Sequence, residues 1–354
     1  MMTVSRCQVT GGVDTHSRTH HGAAIDQAGR ILGDQQFPAT EAGYAQLLTW
    51  LTGYGRLVKV GIEGTGAYGA GLARHLTAAG IDLVEIDRPD RKTRRGQGKS
   101  DPIDAISAAR SALSGQAGGI PKTRTGPVEA IRALRAARNG AVKARTAAYN
   151  QLHGLLASAP EQLRASLSGR RQAALARACA VLRVDDSRFD DPVQATTAAL
   201  IAVATRAETL TAEITLADRR LKPLLTATAP HLTSLPGVGP EVAGQLLATA
   251  GDNPDRLHSE AALARLCGVA PIPASSGRTD RHRLHRGGDR QANRAFYTIV
   301  LSRMRHDPRT REYTERRKKQ GLSSKDIIRC LKRYIVREIY TALLADFTTT
   351  ANTT

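Results

Sequence analysis

From residue 4 to residue 38 apolar and polar positions alternate with a period near two, the pattern of strands with one face against a core. Three runs stand out: Gln8 to Thr15, His21 to Asp26 and Ile31 to Phe37, the last two joined at Gln27-Ala28-Gly29-Arg30. They predict an antiparallel meander. The period then changes. Glu41 to Leu51 places Leu47, Leu48 and Leu51 at helical spacing. Leu57 to Glu63 is a short apolar strand ending in an acid, Ala67 to Ala79 a helix closed by Gly80, Ile81 to Ile86 a strand, and Pro102 to Leu113 a helix.

The resulting order is β-β-β-α-β-α-β-α, that of a ribonuclease-H-like domain, whose mixed sheet carries acids at strand ends. Acids stand where that order expects them. Asp14 closes the first strand and Glu63 the fourth; Asp101 and Asp104 open the last helix, three apart and therefore on one face. Each also has a local reading: Asp101 before Pro102 suits a helix cap, Asp104 suits the helix dipole, and Asp14 suits a turn cap with Thr15. Four carboxylates at one sheet edge repel unless divalent cations lie among them, and oxygen-only ligands suit Mg²⁺ or Mn²⁺. Between the last strand and helix runs a Gly-rich basic loop, Arg88 to Lys99. Its Arg91, Lys92, Arg94, Arg95 and Lys99 are candidate contacts to a nucleic-acid backbone.

Ser114 to Pro127 is rich in Gly, Pro and Thr and reads as a linker. Val128 to Ala157 is a long amphipathic helix that Pro160 stops. After a polar stretch from Asp185 to Pro192, a second long helix carries Leu200, Val203, Ala207, Leu210, Ile214, Ala217 and Leu221 at alternating spacings of three and four. That is a coiled-coil seam, satisfied equally by an antiparallel partner in the same chain or by a second subunit. Leu235-Pro236-Gly237-Val238-Gly239 between helical stretches is a helix-hairpin-helix signature; Gly237 and Gly239 let backbone N–H groups approach a phosphate. Ala261 to Leu266, Gln291 to Arg303 and Lys325 to Leu344 are further helices, and Thr348 to Thr354 reads as a disordered polar tail.

Composition changes the picture at one place. The chain is 41% hydrophobic but 4% aromatic, so its cores are aliphatic; it carries 51 Lys and Arg against 32 Asp and Glu, a formal charge of +19. A charge of that size points to nucleic acid. Between Arg278 and Arg337 there are 19 Lys and Arg against 6 Asp and Glu, a net of +13, so most of the excess lies in one segment. At its head are Ser275 and Ser276, before Gly277, with Pro271 and Pro273 excluding a regular helix. Arg278, Arg281, Arg283, Arg286, Arg290 and Arg294 follow. A hydroxyl in a cation-rich loop suits attack on a phosphodiester; the plain alternative is a Ser-Gly turn beside a solvated basic face. Cys7, Cys179, Cys267 and Cys330 have no metal-ligand or disulfide spacing and read as reduced thiols. With no signal peptide and no apolar run of membrane length, a cytoplasmic, nucleoid-associated protein is expected.

These motifs together resemble the DEDD transposases of the insertion-sequence-110 family. The resemblance rests on Gly12-Val13-Asp14-Thr15-His16, Ile62-Glu63-Gly64-Thr65-Gly66-Ala67-Tyr68, Lys99-Ser100-Asp101-Pro102-Ile103-Asp104-Ala105, Leu235 to Gly239, Gly268-Val269-Ala270-Pro271, Ser276-Gly277 and Arg286-Gly287-Gly288-Asp289. It implies a RuvC-like catalytic domain over residues 1–120, a helical coiled-coil spacer over 121–225, a C-terminal transposase domain over 226–345 and a tail over 346–354. The family's metal-binding acids map onto Asp14, Glu63, Asp101 and Asp104. Its nucleophilic serine maps best onto Ser276, with Ser275 adjacent. Where the family often has Ser-Lys-Arg-Gly, this chain has Leu284-His285-Arg286-Gly287. The resemblance also implies DNA excision and insertion, a structured non-coding guide RNA, and a homo-oligomer, dimer or tetramer, whose composite site joins the acids of one subunit to the serine of another.

The residues thus point to a DNA recombinase with metal-assisted serine chemistry. Two rivals use the same sequence differently. A junction-resolving nuclease needs the acids and a water but not Ser276, and a non-catalytic nucleic-acid-binding remnant needs neither.

Overall fold

A computed structural model describes residues 7–86, 100–115, 119–278, 282–285 and 287–351. The chain forms two compact units. One comprises Met1–Gly126 with Thr249–Arg290, the other Pro127–Ala248 with Gln291–Thr354. Thr249–Arg290 clusters with the N-terminal sheet.

The first unit is built on a five-stranded sheet in the order β3-β2-β1-β4-β5. Its strands are β1 (Gln8–Thr15), β2 (Thr19–Asp26), β3 (Ile31–Pro38), β4 (Arg56–Glu63) and β5 (Asp82–Ile86). The first three pair antiparallel, whereas β1–β4 and β4–β5 pair parallel. The mixed sheet and the largely helical remainder agree with the expected α/β plus α class. Alternation divides β1 between two layers. Val9 and Val13 join the core with Leu47 and Leu51 of α1 (Glu41–Gly53) and Leu72 and Leu76 of α2 (Ala70–Ala78). Thr10, Gly12 and Asp14 have the other parity and lie on the face covered by α3 (Asp101–Leu113).

α3 meets the sheet at van der Waals contact of backbones. A Cβ built on Gly12 would lie 2.2 Å from Ala105 O and Ala109 N, and one on Gly61 2.6 Å from Ala108 O. Ala105, Ala108, Ala109 and Ala112 are buried against these glycines. Small residues on both sides let the helix lie on the strands with no side-chain layer between.

In the second unit, α4 (Pro127–Ala157) and α7 (Pro192–Thr228) pack together. Arg138 bonds Asp218, Arg145 bonds Thr211 and Gln151 accepts from Arg206. Numbers rise on one helix as they fall on the other, so the seam is filled by an antiparallel partner within the chain. Leu200, Val203, Ala207, Ile214 and Leu221 are buried as its spacing required. Two short helices, α5 (Glu161–Leu167) and α6 (Gln172–Ala180), supply Leu163, Leu167, Leu175 and Cys179 to the same core. The remaining helices of the chain are α8 (Pro230–Ser234), α9 (Pro240–Ala250), α10 (Glu260–Leu266), α11 (Arg290–His306), α12 (Pro308–Lys319) and α13 (Ser324–Ala351).

The last helix departs from expectation. Residues 346–351 continue α13 instead of beginning a disordered tail. Asp346 is 1% exposed and accepts bonds from the backbone N–H groups of His231 and Leu232 at 2.9 and 3.0 Å and from the His231 ring at 2.8 Å. Phe347 is buried, and Thr348 and Thr349 return their hydroxyls to the carbonyls four residues back. Among the described residues no helix is long and apolar enough to cross a membrane.

The glycine contact makes a direct prediction. Gly12→Ala should lower the unfolding midpoint in urea, by an amount equivalent to about 2–4 kcal/mol, because the methyl meets backbone that cannot rotate away. Gly140→Ala, mid-helix in α4 with nothing within 4 Å of its built Cβ, should raise it by up to about 1 kcal/mol. Equal effects of the two changes would contradict the close packing of α3.

Candidate active site

Strand parity and register assemble the acids. Asp14 is two residues beyond Gly12 on β1, and Glu63 two residues beyond Gly61 on β4, so both acids share the face under α3. The two parallel strands are in register up to Val13 and Ile62, which sets Asp14 and Glu63 side by side at the sheet edge. The same helix contact that needs Gly12 and Gly61 delivers the first turn of α3 to that edge. Ser100 is its cap residue, so Asp101 is not the cap that a local reading allows; Asp101 and Asp104 both lie in the first turn.

His16 joins the acids. Its Nε2 lies 3.1 Å from Asp14 Oδ2 and 3.3 Å from Asp101 Oδ1. Asp14, His16 and Asp101 each offer a ligand atom, all within 4.8 Å of one another, and the set of two carboxylates and an imidazole suits a divalent cation. Glu63 and Asp104 flank that trio. Asp104 is 3% exposed, and its charge reaches Asp14. Burial raises the Asp14 carboxyl above its ordinary value; His16 opposes the shift, and Asp104 and Asp101 add to it. His16 lies in the quoted Gly-Val-Asp-Thr-His motif, and the signal that finds it is parity: residue 16 follows residue 14 by one strand repeat.

The loop after Glu63 is held from several sides. Thr15 Oγ1 donates to the Glu63 carbonyl at 2.8 Å, and Gly64 has φ +77°, with Thr15 Oγ1 only 2.7 Å from where a Cβ would lie. Thr65 donates to the Glu85 carboxylate, which also receives Arg256 Nη2 at 2.8 Å. Arg256 Nε donates to Ile120 O at 2.7 Å, and its Nη1 reaches Thr249 O and Ala250 O at 3.2 Å. Arg124, with φ +55°, donates to Gly66 O at 2.8 Å. None of this network was legible from spacing, because its partners come from four separate stretches of chain.

The serine loop is the turn of a small hairpin. β6 (Pro271–Pro273) pairs with β7 (His282–Leu284), Ile272 facing Arg283. Ser275, Ser276 and Gly277 stand in the connection, all exposed, with Gly277 at φ +54°. Arg278 and Arg283 are exposed beside them, and Arg290 and Arg294 are exposed at the start of α11. Gly237 takes φ +77° against Ile299 of α11, a conformation that favours glycine, whereas Gly239 has open space about its Cα. Arg91, Lys92, Arg94, Arg95, Lys99, Arg281 and Arg286 lie outside the described residues.

The raised Asp14 value has a testable sign. The folded state binds this proton more tightly than the unfolded chain does. Its contribution is therefore fully present below the ordinary aspartate range and is lost as pH rises through the folded-state value. Asp14→Asn should raise the thermal midpoint at neutral pH without divalent ions, and the gain should vanish below about pH 4. Added Mn²⁺ should raise the wild-type midpoint and move the variant little. A destabilised Asp14→Asn protein with an unchanged Mn²⁺ response would remove Asp14 from the cation site.

Known proteins share stretches of this sequence. The DEDD_Tnp_IS110 family pattern, described as a transposase, matches residues 11–159, spanning Asp14, Glu63, Asp101 and Asp104. The transposase IS116/IS110/IS902 family pattern matches residues 229–315, spanning the hairpin glycines and the serine loop. The chain is 38% identical over 122 residues to the uncharacterized 43.6 kDa protein of insertion element IS110 from Streptomyces coelicolor, a match spanning 34% of this chain and 29% of that protein. It is 27% identical, across 96% of both chains, to the uncharacterized 42 kDa protein of insertion element IS900 from Mycobacterium paratuberculosis. Two patterns of one family, in order and covering both the acids and the serine loop, show that this chain belongs to the IS110 family of transposases.

Proposed function

We propose that this protein excises and inserts an insertion sequence by serine attack on DNA phosphodiesters, at a site whose acids hold Mg²⁺ or Mn²⁺, under the guidance of a structured RNA. The observation that carries the reading is the sharing of His16 by Asp14 and Asp101 at a sheet edge that also holds Glu63 and Asp104. Four acids on a RuvC-like sheet in a strongly basic chain suit phosphodiester chemistry better than any small-molecule reaction.

The residues divide the work. A divalent ion, when bound, would polarise the phosphodiester and lower the cost of deprotonating an oxygen nucleophile. Asp14, Glu63, Asp101 and Asp104 would hold it, with the His16 imidazole beside Asp14 and Asp101 offering a further ligand nitrogen. Ser276 Oγ attacks phosphorus. A bond forms between Oγ and phosphorus, the P–O3′ bond breaks, and the 3′ oxygen leaves as a hydroxyl, taking up a proton while the serine gives one up. Arg278, Arg281 and Arg283, with Arg286, Arg290 and Arg294 further on, meet the phosphate charge. Rejoining to another strand reverses the same bonds, so the phosphoserine conserves the phosphodiester energy through exchange.

The adduct is the discriminating measurement. Wild type should form a covalent protein–DNA species on element-end DNA, Ser276→Ala should form none, and Ser275→Ala should change little. An adduct lost only in Ser275→Ala would move the nucleophile by one residue. Cleavage without adduct that survives both changes would establish the water-using, junction-resolving nuclease. Mixing Ser276→Ala with Asp14→Asn protein should restore activity if, as we propose, an oligomer completes the site between subunits.

Charge gives a second test. Binding through the segment from Arg278 to Arg337 should weaken steeply with salt, with a log–log slope of about −0.7 to −0.9 per neutralised phosphate. A flat response between about 50 mM and about 200 mM salt would contradict an electrostatic footprint.

A further inference from the structure

Away from the acids and the serine loop, two tyrosines of the second unit pack together in a chain that is only 4% aromatic. The helices α11, α12 and α13 and the turn after α8 enclose a cavity of about 560 Å³, lined among others by Pro236, Arg303, Arg309, Tyr313, Arg316 and Tyr334. That volume lies in the range that holds a molecule the size of a nucleotide. Tyr313 and Tyr334 meet edge to face, with centroids 5.6 Å apart. Arg316 and Arg317 stand over the Tyr313 ring at 5.4 and 6.0 Å, and Arg337 over Tyr334 at 5.8 Å. Tyr334 is nevertheless 49% exposed, an aromatic surface among cations with room for another planar group.

The acids in the wall have other work. Asp307 accepts from the N–H and hydroxyl of Thr310 and caps α12. Glu338 accepts from Arg303 Nη1 at 2.6 Å. The lining sets Arg303, Arg309 and Arg316 against Asp307, Glu312 and Glu338, and Arg317 and Arg337 over the tyrosine rings tip the surroundings cationic. Arg303 is the second observation. Its side chain is 8% exposed; Nε holds the Pro236 carbonyl at 2.8 Å, and Nη2 has no hydrogen-bond acceptor among the described residues. A buried guanidinium lacking one acceptor beside two edge-to-face tyrosines is the composition of a site for a base with its phosphate.

We propose that this cleft holds one unpaired nucleotide of a bound strand, its base stacked on Tyr334 and its phosphate met by Arg309 and Arg316. The proposal rests on the nucleic-acid reading above and adds to it a preference that charge alone does not produce: an unpaired base over a paired one. Stacking on a single aromatic side chain supplies enough to separate the two by about tenfold.

The test uses the full-length protein and two duplex probes of equal length and charge, one with a single bulged 2-aminopurine and one fully paired, each made as DNA and as RNA. Wild type should bind the bulged probe about tenfold tighter and quench its fluorescence. In Tyr334→Ala that ratio should fall to about one with the quench lost, and Tyr334→Phe, which keeps the ring, should restore both. A preference seen in only one polymer supports the site and names the strand. Equal wild-type affinity for bulged and paired probes, or a ratio unchanged by Tyr334→Ala, would overturn the proposal while leaving nucleic-acid binding intact. No binding to any probe would instead remove the broader reading. Displacement of the bulged probe by poly-glutamate as readily as by unlabelled bulged duplex would assign the cleft to acidic chains.

Discussion

The contact on which the carboxylate edge depends is a steric one, between two glycines and four alanines. β1 and β4 give up their side chains at Gly12 and Gly61, and α3 gives up bulk at Ala105, Ala108, Ala109 and Ala112, so that backbone meets backbone. Helices ordinarily stand off a sheet by the thickness of a side-chain layer. Removing that layer lowers the N-terminus of α3 onto the strand ends, where one imidazole reaches carboxylates from both elements. The acids repel and the burial of Asp14 disfavours its charge, so the electrostatics of the edge oppose the arrangement that packing imposes. The helix dipole contributes a little relief, since Asp101 and Asp104 occupy the first turn.

Much of the sheet was legible because strand parity, the terminal acids and the helix period are all local signals. The runs ending at Thr15, Asp26, Glu63 and Ile86 became strands at those ends. The long seam from Leu200 to Leu221 was legible as a seam but not as to its partner; the pairs Arg138–Asp218 and Arg206–Gln151 identify α4. What escaped reading was either too polar or too dispersed. α12 has almost no apolar face and buries Thr310 and Thr314 instead, so periodicity gave no sign of it. α5 and α6 are shorter than the window in which a helical period can be counted. Of the candidate site, the four acids and the serine follow from motif and topology. His16, Glu85, Arg124 and Arg256 matter through contacts between stretches as much as 171 residues apart, and one sequence carries no record of such pairings.

Two buried arginines tie helices together through hydrogen bonds to side chains or backbone. Arg135, 4% exposed, reaches Glu241 and Gln245 on α9, and Gly244 lets it pass; a Cβ there would lie 2.5 Å from its side chain. Arg303 does the same between α11, the Pro236 carbonyl and Glu338. Truncating such a residue empties a buried space and removes its bonds at once, so these arginines are more costly to remove than surface arginines of the basic segment.

Asp346 carries a consequence for how the molecule is made. It supplies the acceptors for the N-terminus of α8, the helix leading into the glycine hairpin, from 115 residues further along the chain. Synthesis runs from the N-terminus, so the hairpin leaves the ribosome long before the carboxylate that caps it. The hairpin is finished only when the last turns of the last helix arrive. A transcript cut short before them would therefore yield a protein with its hairpin uncapped.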